Sequence, residues 1–164
     1  MGRHSDVCSD VNLEACRIDD VPVLRRCSGG GAVVLGPGCL NYAVALPLVS
    51  WPELTDVAAG FQCILGRIVT VLGISGLSLA AGTDLVLGGR KVSGNAQRRG
   101  RRALLHHGTL LHGFDPRLAT RYLKEPIRRP AYRAARCHDA FLGNLPLSAE
   151  TIRARLDTAW RECP

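Results

Sequence analysis

Apolar positions along this chain follow two different rhythms. Over residues 52–73, Leu54, Val57, Ala58, Phe61, Ile64, Leu65, Ile68 and Leu72 recur at i, i+3, i+4, i+7, with Pro52 and Glu53 at the start, which predicts a long amphipathic helix. Val7, Val11 and Ala15 predict a shorter helix over 5–17 behind a Ser cap. Between them, "VPVLRR" at 21–26 alternates like a strand, and the β-branched run "AVVLGPGCLNYAVALPL" is interrupted at Gly36-Pro37-Gly38, which predicts two strands joined by a tight turn. A second strand-rich block spans 77–113, with turns at Gly82 and Gly88-Gly89. "DPRLATRYL" predicts a short helix opened by Asp115 and Pro116, and "SAETIRARLDTAW" a final helix capped by Ser148. Strand blocks separated by one long helix and closed by helices predict a single α+β domain over 1–164, with a mixed β-sheet flanked by helices. The regular alternation of a doubly wound fold is absent.

At 164 residues and 46% hydrophobic, the chain can bury one sizeable core. It contains no uninterrupted apolar run of membrane-spanning length, its start "MGRHSDVCSD" lacks the apolar core of a signal peptide, and Asp6 stands where a myristoylation pattern wants Ser or Thr. A cytoplasmic protein without membrane association is expected. Seven cysteines (8, 16, 27, 39, 63, 137 and 163), an odd number with no C-x-x-C, predict reduced and mostly buried thiols. The formal charge of +7 favours a polyanionic partner: a nucleic acid, a nucleotide or an acidic protein face. Aromatics make up 5% of the residues and do not interleave with the basic ones, which argues against base stacking and against a nucleic-acid partner.

Two glycine-rich stretches carry the candidate chemistry. "RRCSGGGAV" brings two arginines and a serine before three glycines, whose unobstructed amides can form an anion site or an ordinary loop; it matches neither G-x-G-x-x-G nor the Walker pattern. "GGRKVSGNAQRR" places Lys91 in a second such turn. Of 21 Lys and Arg residues only Lys91 and Lys124 are lysine, so a compact ammonium at 91 stands out against an arginine-biased background. The run 98–102 reads either as a solvated basic loop or as a contact surface for an acidic partner. "LHHGTLLHG" sets His107 and Thr109 on one strand face and His106 on the other. No Asp, Glu or Cys stands at ligand spacing beside the histidines, so no protein metal site is expected, and Cys137-His138 lacks the third group of a Cys-His nucleophile.

Together, "RRCSGGGAVVLGPGCLNY", "TDLVLGGRKVSGNAQRRGRRALLHHGTLL" and "RRPAYRAARCHDAFLGNL" resemble the lipoate-protein ligase A family, in the family's order. The resemblance implies a biotin/lipoate ligase-like (class II synthetase-like) catalytic domain that activates lipoate, or octanoate, with ATP and Mg2+ to an acyl-AMP. The acyl group then passes to a lysine on a lipoyl-carrier domain of a 2-oxoacid dehydrogenase or of the glycine cleavage H protein. By the same resemblance Lys91 touches both the acyl carboxyl and the α-phosphate. Arg26, Gly31, Ala32, Val33, Val34 and Asp84 match nucleotide-binding positions, and Ser28, Gly29, Gly30, Asn41, Ser93, Gly94, His107 and Thr109 fall at substrate-binding ones. The family domain normally has several dozen residues before "GRHSD", so an N-terminally truncated version is expected, and an accessory domain after Trp160 is not expected. The rivals are an octanoyltransferase or lipoyl amidotransferase of the same family, whose nucleophilic cysteine shortly before the lysine has no counterpart between Cys63 and Cys137, and a non-catalytic protein that binds lipoyl domains or nucleic acid. Biotin ligation is disfavoured because the biotin-ligase signature is missing.

Overall fold

A computed structural model describes residues 1–127 and 129–160; Cys163 lies outside the described residues. The apolar periodicity near the N-terminus folds as two short helices, α1 (Val7–Asp10) and α2 (Leu13–Ile18), instead of one. Side-chain caps divide them. Asp6 accepts from the amides of Cys8 and Ser9, and Asn12 accepts from that of Ala15, so a new helix starts at Asn12 and Val11 is left extended, bridged to Leu123.

Segment 21–26 is extended but belongs to no strand, contrary to its alternation. Its backbone bonds are scattered: Val21 N–H donates to the Cys16 carbonyl at the end of α2, the Met1 amine to the Leu24 carbonyl and Arg26 N–H to the Met1 carbonyl, with Arg3 N–H donating to the Ser28 carbonyl just beyond. A strand needs a ladder along its length, and here Val23 and Leu24 remain 39% and 73% exposed. Residues 32–35 likewise lack a ladder, so the 36–38 turn leads into one strand, β1 (Cys39–Pro47), and not from one strand to another.

After β1, Pro52–Thr55 forms a 3-10 turn, and the Asp56 carboxylate accepts from the Ala59 amide at 2.8 Å to open α3 (Val57–Leu72), which ends at Gly73 with φ of 56°. The strands β2 (Ser78–Ala80), β3 (Asp84–Leu87), β4 (Arg90–Arg99) and β5 (Ala103–Leu111) then complete a five-stranded sheet in the order β1-β5-β4-β3-β2. Every strand pairing is antiparallel where a mixed sheet was predicted, because short turns join β2 to β3, β3 to β4 and β4 to β5. Among the described residues, parallel pairing is confined to the isolated bridge between Lys91 and Leu142. Among the described residues, the α-helices α4 (Arg117–Tyr122), α5 (His138–Phe141) and α6 (Ala149–Thr158) follow, the last capped by Ser148 as expected.

One face of the sheet carries the core. Phe61, Ile64, Leu65, Ile68 and Leu72 of α3 pack with Leu46, Leu85, Val92, Leu104 and Leu110 of the strands and Ile152 of α6. Each fully buried aliphatic contributes about 1.5–3 kcal/mol, so this stripe anchors the sheet. A smaller cluster of Leu111, Phe114 and Ala119, with Val34, Leu118, Leu123 and Leu142 around it, forms separately. Among the described residues no helix is long and apolar enough to cross a membrane.

Candidate functional site

Strand alternation decides what the sheet presents away from α3. In β5, Leu104, His106 and Leu110 are buried, His106 edge-on to Phe61 of α3, which leaves His107, Thr109 and Leu111 on the opposite face. The register sets Ala43 and Ala96 on either side of His107, and Asn41 and Gly94 on either side of Thr109. These side chains line a cavity of about 720 Å³. One wall is the loop from Gly30 to Leu35, and another is built from Leu123, Lys124, Pro126, Pro130, Arg133, His138, Phe141 and Leu142.

Lys91 reaches this cavity through an irregularity. Counting back from Ala96 and Gly94 in strict alternation would put residue 91 on the α3 face. Between β3 and β4, however, the register steps from Leu85 opposite Ser93 to Val86 opposite Lys91, so Val92 is an extra residue. Val92 and Ser93 are both buried, and Lys91 returns to the side of Gly94. A methyl group on Gly94 would meet Lys91 Cε and Nζ at 3.0 Å. The Gly94→Ala variant is therefore expected to keep its melting temperature within about 3 °C, since a flexible side-chain end can yield. The Lys91 ammonium is expected to move, and a fall in activity without a fall in stability checks it.

The Lys91 ammonium lies 2.8 Å from Asp84 Oδ1, and Tyr132 Oη donates to Asp84 Oδ2 at 2.7 Å. Asp84 is buried at the start of β3, where it pairs with Gly94. Sequence reasoning reached Asp84 and missed Tyr132.

At the glycine loop, Arg26 Nε donates to Ser28 Oγ at 3.1 Å and Nη2 to the Gly29 carbonyl at 2.6 Å, while Nη1 is buried with no hydrogen-bond partner. Ser28 is itself buried, its Oγ 2.6 Å from His107 Nε2. The serine accepts from Arg26 and meets His107 with its proton or its second lone pair, according to the imidazole tautomer. Burial, and then the Arg26 charge, hold His107 below the usual histidine range, so the ring is neutral. The structure thus brings Arg26, Gly30, Gly31, Ala32, Val33, Val34, Asn41, Asp84, Lys91, Ser93, Gly94, His107 and Thr109 to one cavity. Ser28 and Gly29 do not line it; they orient Arg26 and His107 from behind.

A second polar network, which the sequence reading also missed, runs from the cavity lining at Tyr42 and Asn95 toward α3. Tyr42 Oη donates to Asn95 Oδ1 at 2.5 Å and lies 3.1 Å from His106 Nε2; Asn95 Nδ2 donates to the Thr83 carbonyl at 2.8 Å, and Gln97 Nε2 lies 3.2 Å from His106 Nδ1. An asparagine inside a strand, a poor β-former, was the available signal for Asn95. Gln97 passes the network on to Arg99.

That contact bears on the basic run. Arg98 and Arg99 belong to β4 and are not loop residues. Arg99 turns toward α3 and donates to the carbonyls of Leu54, Thr55 and Asp56, a structural clamp on the helix start. Arg98, Arg101 and Arg102 are exposed. Arg98 shares the cavity face two residues beyond Ala96, about 7 Å along the strand, and the other two sit at the hairpin tip.

The cavity presents the cations Arg26, Lys91, Lys124 and Arg133 beside the apolar Val33, Val34, Leu35, Leu111, Phe114 and Leu123. Such a lining suits a ligand with an anionic head and an apolar tail. Among the described residues no three His, Cys, Asp or Glu side chains are grouped to hold a metal ion, and the six described cysteines are free but not mostly buried as expected: Cys8, Cys27 and Cys137 are exposed, Cys39 and Cys63 half-buried and Cys16 buried. Cys63 lies on α3 against the core, and Cys137 is exposed ahead of α5. Cys39 hydrogen-bonds to Thr109, and burial pushes its thiol up.

Residues 1–146 match the family described as the lipoyl protein ligase A/B catalytic domain. An Aeropyrum pernix protein that carries the provisional name lipoate-protein ligase A is 37% identical over 129 residues, covering 79% of this chain and 48% of its own length. The mitochondrial lipoyl amidotransferase of Homo sapiens is 30% identical over 129 residues, covering 78% of this chain and 34% of its own length. The chain thus spans about half the length, or less, of these curated relatives. Among solved structures, a bi-partite lipoate protein ligase with its E2 lipoyl domain from Thermoplasma acidophilum superposes with a TM-score of 0.82 at 23% identity, covering 99% of this chain and 66% of that one. A lipoate-protein ligase A bound with ATP gives 0.80 at 23% identity, covering 99% and 67%. These likenesses show the α+β fold.

Proposed function

The chain belongs to the lipoyl protein ligase A/B catalytic domain family, and on that premise we propose that it joins lipoate or octanoate to ATP and passes the acyl group to a lysine of a lipoyl-carrier domain. The observation that carries this reading is that Lys91 on the bulged strand and Arg26, whose buried Nη1 has no hydrogen-bond partner among the described residues, line one cavity with Lys124, Arg133 and a set of apolar side chains. An orphaned guanidinium nitrogen is costly in isolation and is relieved by an anion, which suits a nucleotide phosphate. The acyl chain would lie against Val33, Leu35 and Leu123.

In the first half-reaction the carboxylate of the acid attacks the α-phosphorus and pyrophosphate leaves. Lys91, held at the floor, would place a point charge between the carboxyl oxygen and the α-phosphate, where negative charge gathers in the transition state. In the second, the amine of the carrier lysine attacks the acyl carbon and AMP leaves with the bonding pair. Magnesium would enter on the nucleotide, its phosphate oxygens supplying most of the ligands. Incubation with ATP, magnesium, lipoate or octanoate and an apo carrier domain, followed by intact-mass measurement, tests the reading; no mass gain on the carrier and no pyrophosphate would refute it.

The second reading, an octanoyltransferase or amidotransferase, draws on relatives of that name and on Cys39, whose thiol bonds to the cavity residue Thr109. A raised thiol is a poor nucleophile at neutral pH, which disfavours it. Acyl transfer without ATP through a hydroxylamine-sensitive thioester would decide in its favour.

For carrier capture, the exposed cations Arg98, Arg101 and Arg102 are the ones free to steer an acidic domain, since Arg99 is committed to α3. Their triple glutamine variant is expected to make acyl-AMP at the normal rate and to transfer more slowly at low salt, each charge contributing within about 0–1 kcal/mol. The deficit should vanish near 1 M salt, where screening acts within about 3 Å. Equal loss in both half-reactions would place these residues at the nucleotide instead.

A further inference from the structure

Lys91 and Asp84 form an ion pair that Tyr132 completes from outside the cavity, because Tyr132 does not itself line it. Each oxygen of Asp84 has its own partner: Oδ1 takes the ammonium, with Thr83 Oγ1 at 3.3 Å, and Oδ2 takes the phenol. The terminal torsion of an aspartate is soft and two-fold, so one partner alone leaves the carboxylate free to turn. Two partners on opposite oxygens lock it.

Tyr132 is in turn fixed by its own surroundings. It lies in the 3-10 turn Ala131–Arg133, its ring 5.3 Å from that of Phe141. Arg136 donates both to the Tyr132 carbonyl, at 2.5 Å, and to the Gly89 carbonyl, at 2.9 Å, tying this segment to the β3–β4 turn. Gly143 N–H donates to the Lys91 carbonyl at 2.9 Å, so the same stretch grips the backbone of the lysine as well. Burial, and then the bond to Asp84, push the Tyr132 phenol above its ordinary range, which keeps it a donor at every physiological pH.

We propose that Tyr132 is a positioning residue: through its hydrogen bond to Asp84 Oδ2 it holds the carboxylate that sets where the Lys91 ammonium stands. The hydroxyl, and not the bulk of the ring, performs this task. The effect on catalysis rests on the acyl-activation reading above; the effect on Lys91 does not.

The sequence holds two lysines, which makes a direct test possible. The intact chain is treated with limiting acetyl N-hydroxysuccinimide ester, and acetylation of Lys91 is measured by peptide mass relative to Lys124, an exposed lysine of the cavity wall that bonds the Cys8 carbonyl and not Asp84. Tyr132→Phe is expected to raise the Lys91 to Lys124 ratio about fivefold, the scale of one hydrogen bond. Asp84→Asn should raise it at least as much, and the double variant no further than Asp84→Asn alone. Tyr132→Leu, which also removes packing, should lower the melting temperature more than Phe yet label Lys91 no faster than Phe.

A Tyr132→Phe ratio unchanged within about twofold, effects that multiply in the double variant, or labelling that tracks the melting temperature across Phe and Leu would each overturn the proposal. In the activity assay, Tyr132→Phe should lower acyl-AMP formation at saturating substrates about tenfold and leave KM within about twofold. A wild-type chain that forms no acyl-AMP would refute the functional reading, while the labelling ratios would still judge the role of Tyr132.

Discussion

Replacing Lys91 with alanine is expected to lower acyl-AMP formation by about 10²–10³-fold, the scale at which removing one preorganised electrostatic group usually registers. The bulge at Val92 places this ammonium on the cavity floor against Gly94, and Asp84 fixes it at 2.8 Å. Arginine should rescue poorly. Its planar fork would bind Asp84 through two parallel contacts and spread the charge that lysine presents at a point. The alanine variant also leaves the buried Asp84 carboxylate with only Tyr132 and Thr83, which costs about 1–3 kcal/mol, so a lower melting temperature is expected alongside a folded far-UV spectrum. Adding Asp84→Asn to Lys91→Ala should recover stability and leave acyl-AMP formation lost. Pyrophosphate release per folded molecule is the measurement, and near-normal release by Lys91→Ala would remove the lysine from the mechanism.

The second large effect is on stability against pH. His106 is fully buried between Tyr42, Gln97 and Phe61, and burial, with a smaller push from His107, lowers its pKa to about 4. In the unfolded chain the ring titrates near the ordinary value of 6.5. The unfolded state therefore binds the proton first, so the stabilisation is complete above pH 6.5 and is lost progressively as the pH falls toward 4. A shift of this size corresponds to about 3 kcal/mol, or roughly 6–12 °C in melting temperature for a chain of this length. His107 and His138, also held low by burial, add to the same trend. The His106→Gln variant should start less stable at pH 7, since it loses the ring packing. Its melting temperature should then fall much less between pH 6.5 and 4.5 than that of the wild type. Parallel slopes for the two proteins would show that His106 is not the titrating group.

What the sequence by itself determined was local in origin. The apolar stripe from Phe61 to Leu72 has one way to be buried, and Asp56, Gly73 and Ser148 are of the residue types that begin or end helices, so α3 and α6 follow from neighbours within a few positions. Period-2 alternation separated His106 from His107 before any pairing was known, and the single lysine in its glycine turn marked Lys91. The tertiary structure decided whatever depends on a partner. Segment 21–26 has a strand's alternation, but a strand exists only where a second backbone accepts its hydrogen bonds, and residues 1–3 are too few. The face on which Lys91 emerges turns on one extra residue, Val92, visible only against the register of β3. Arg99 reads as one more cation in a basic run until the same register aims it at the α3 start and leaves Arg98 on the cavity face. Tyr132 reaches Asp84 across 48 residues of chain, and such a bond is set by how the segment after α4 packs over the sheet, a long-range choice that no local pattern encodes.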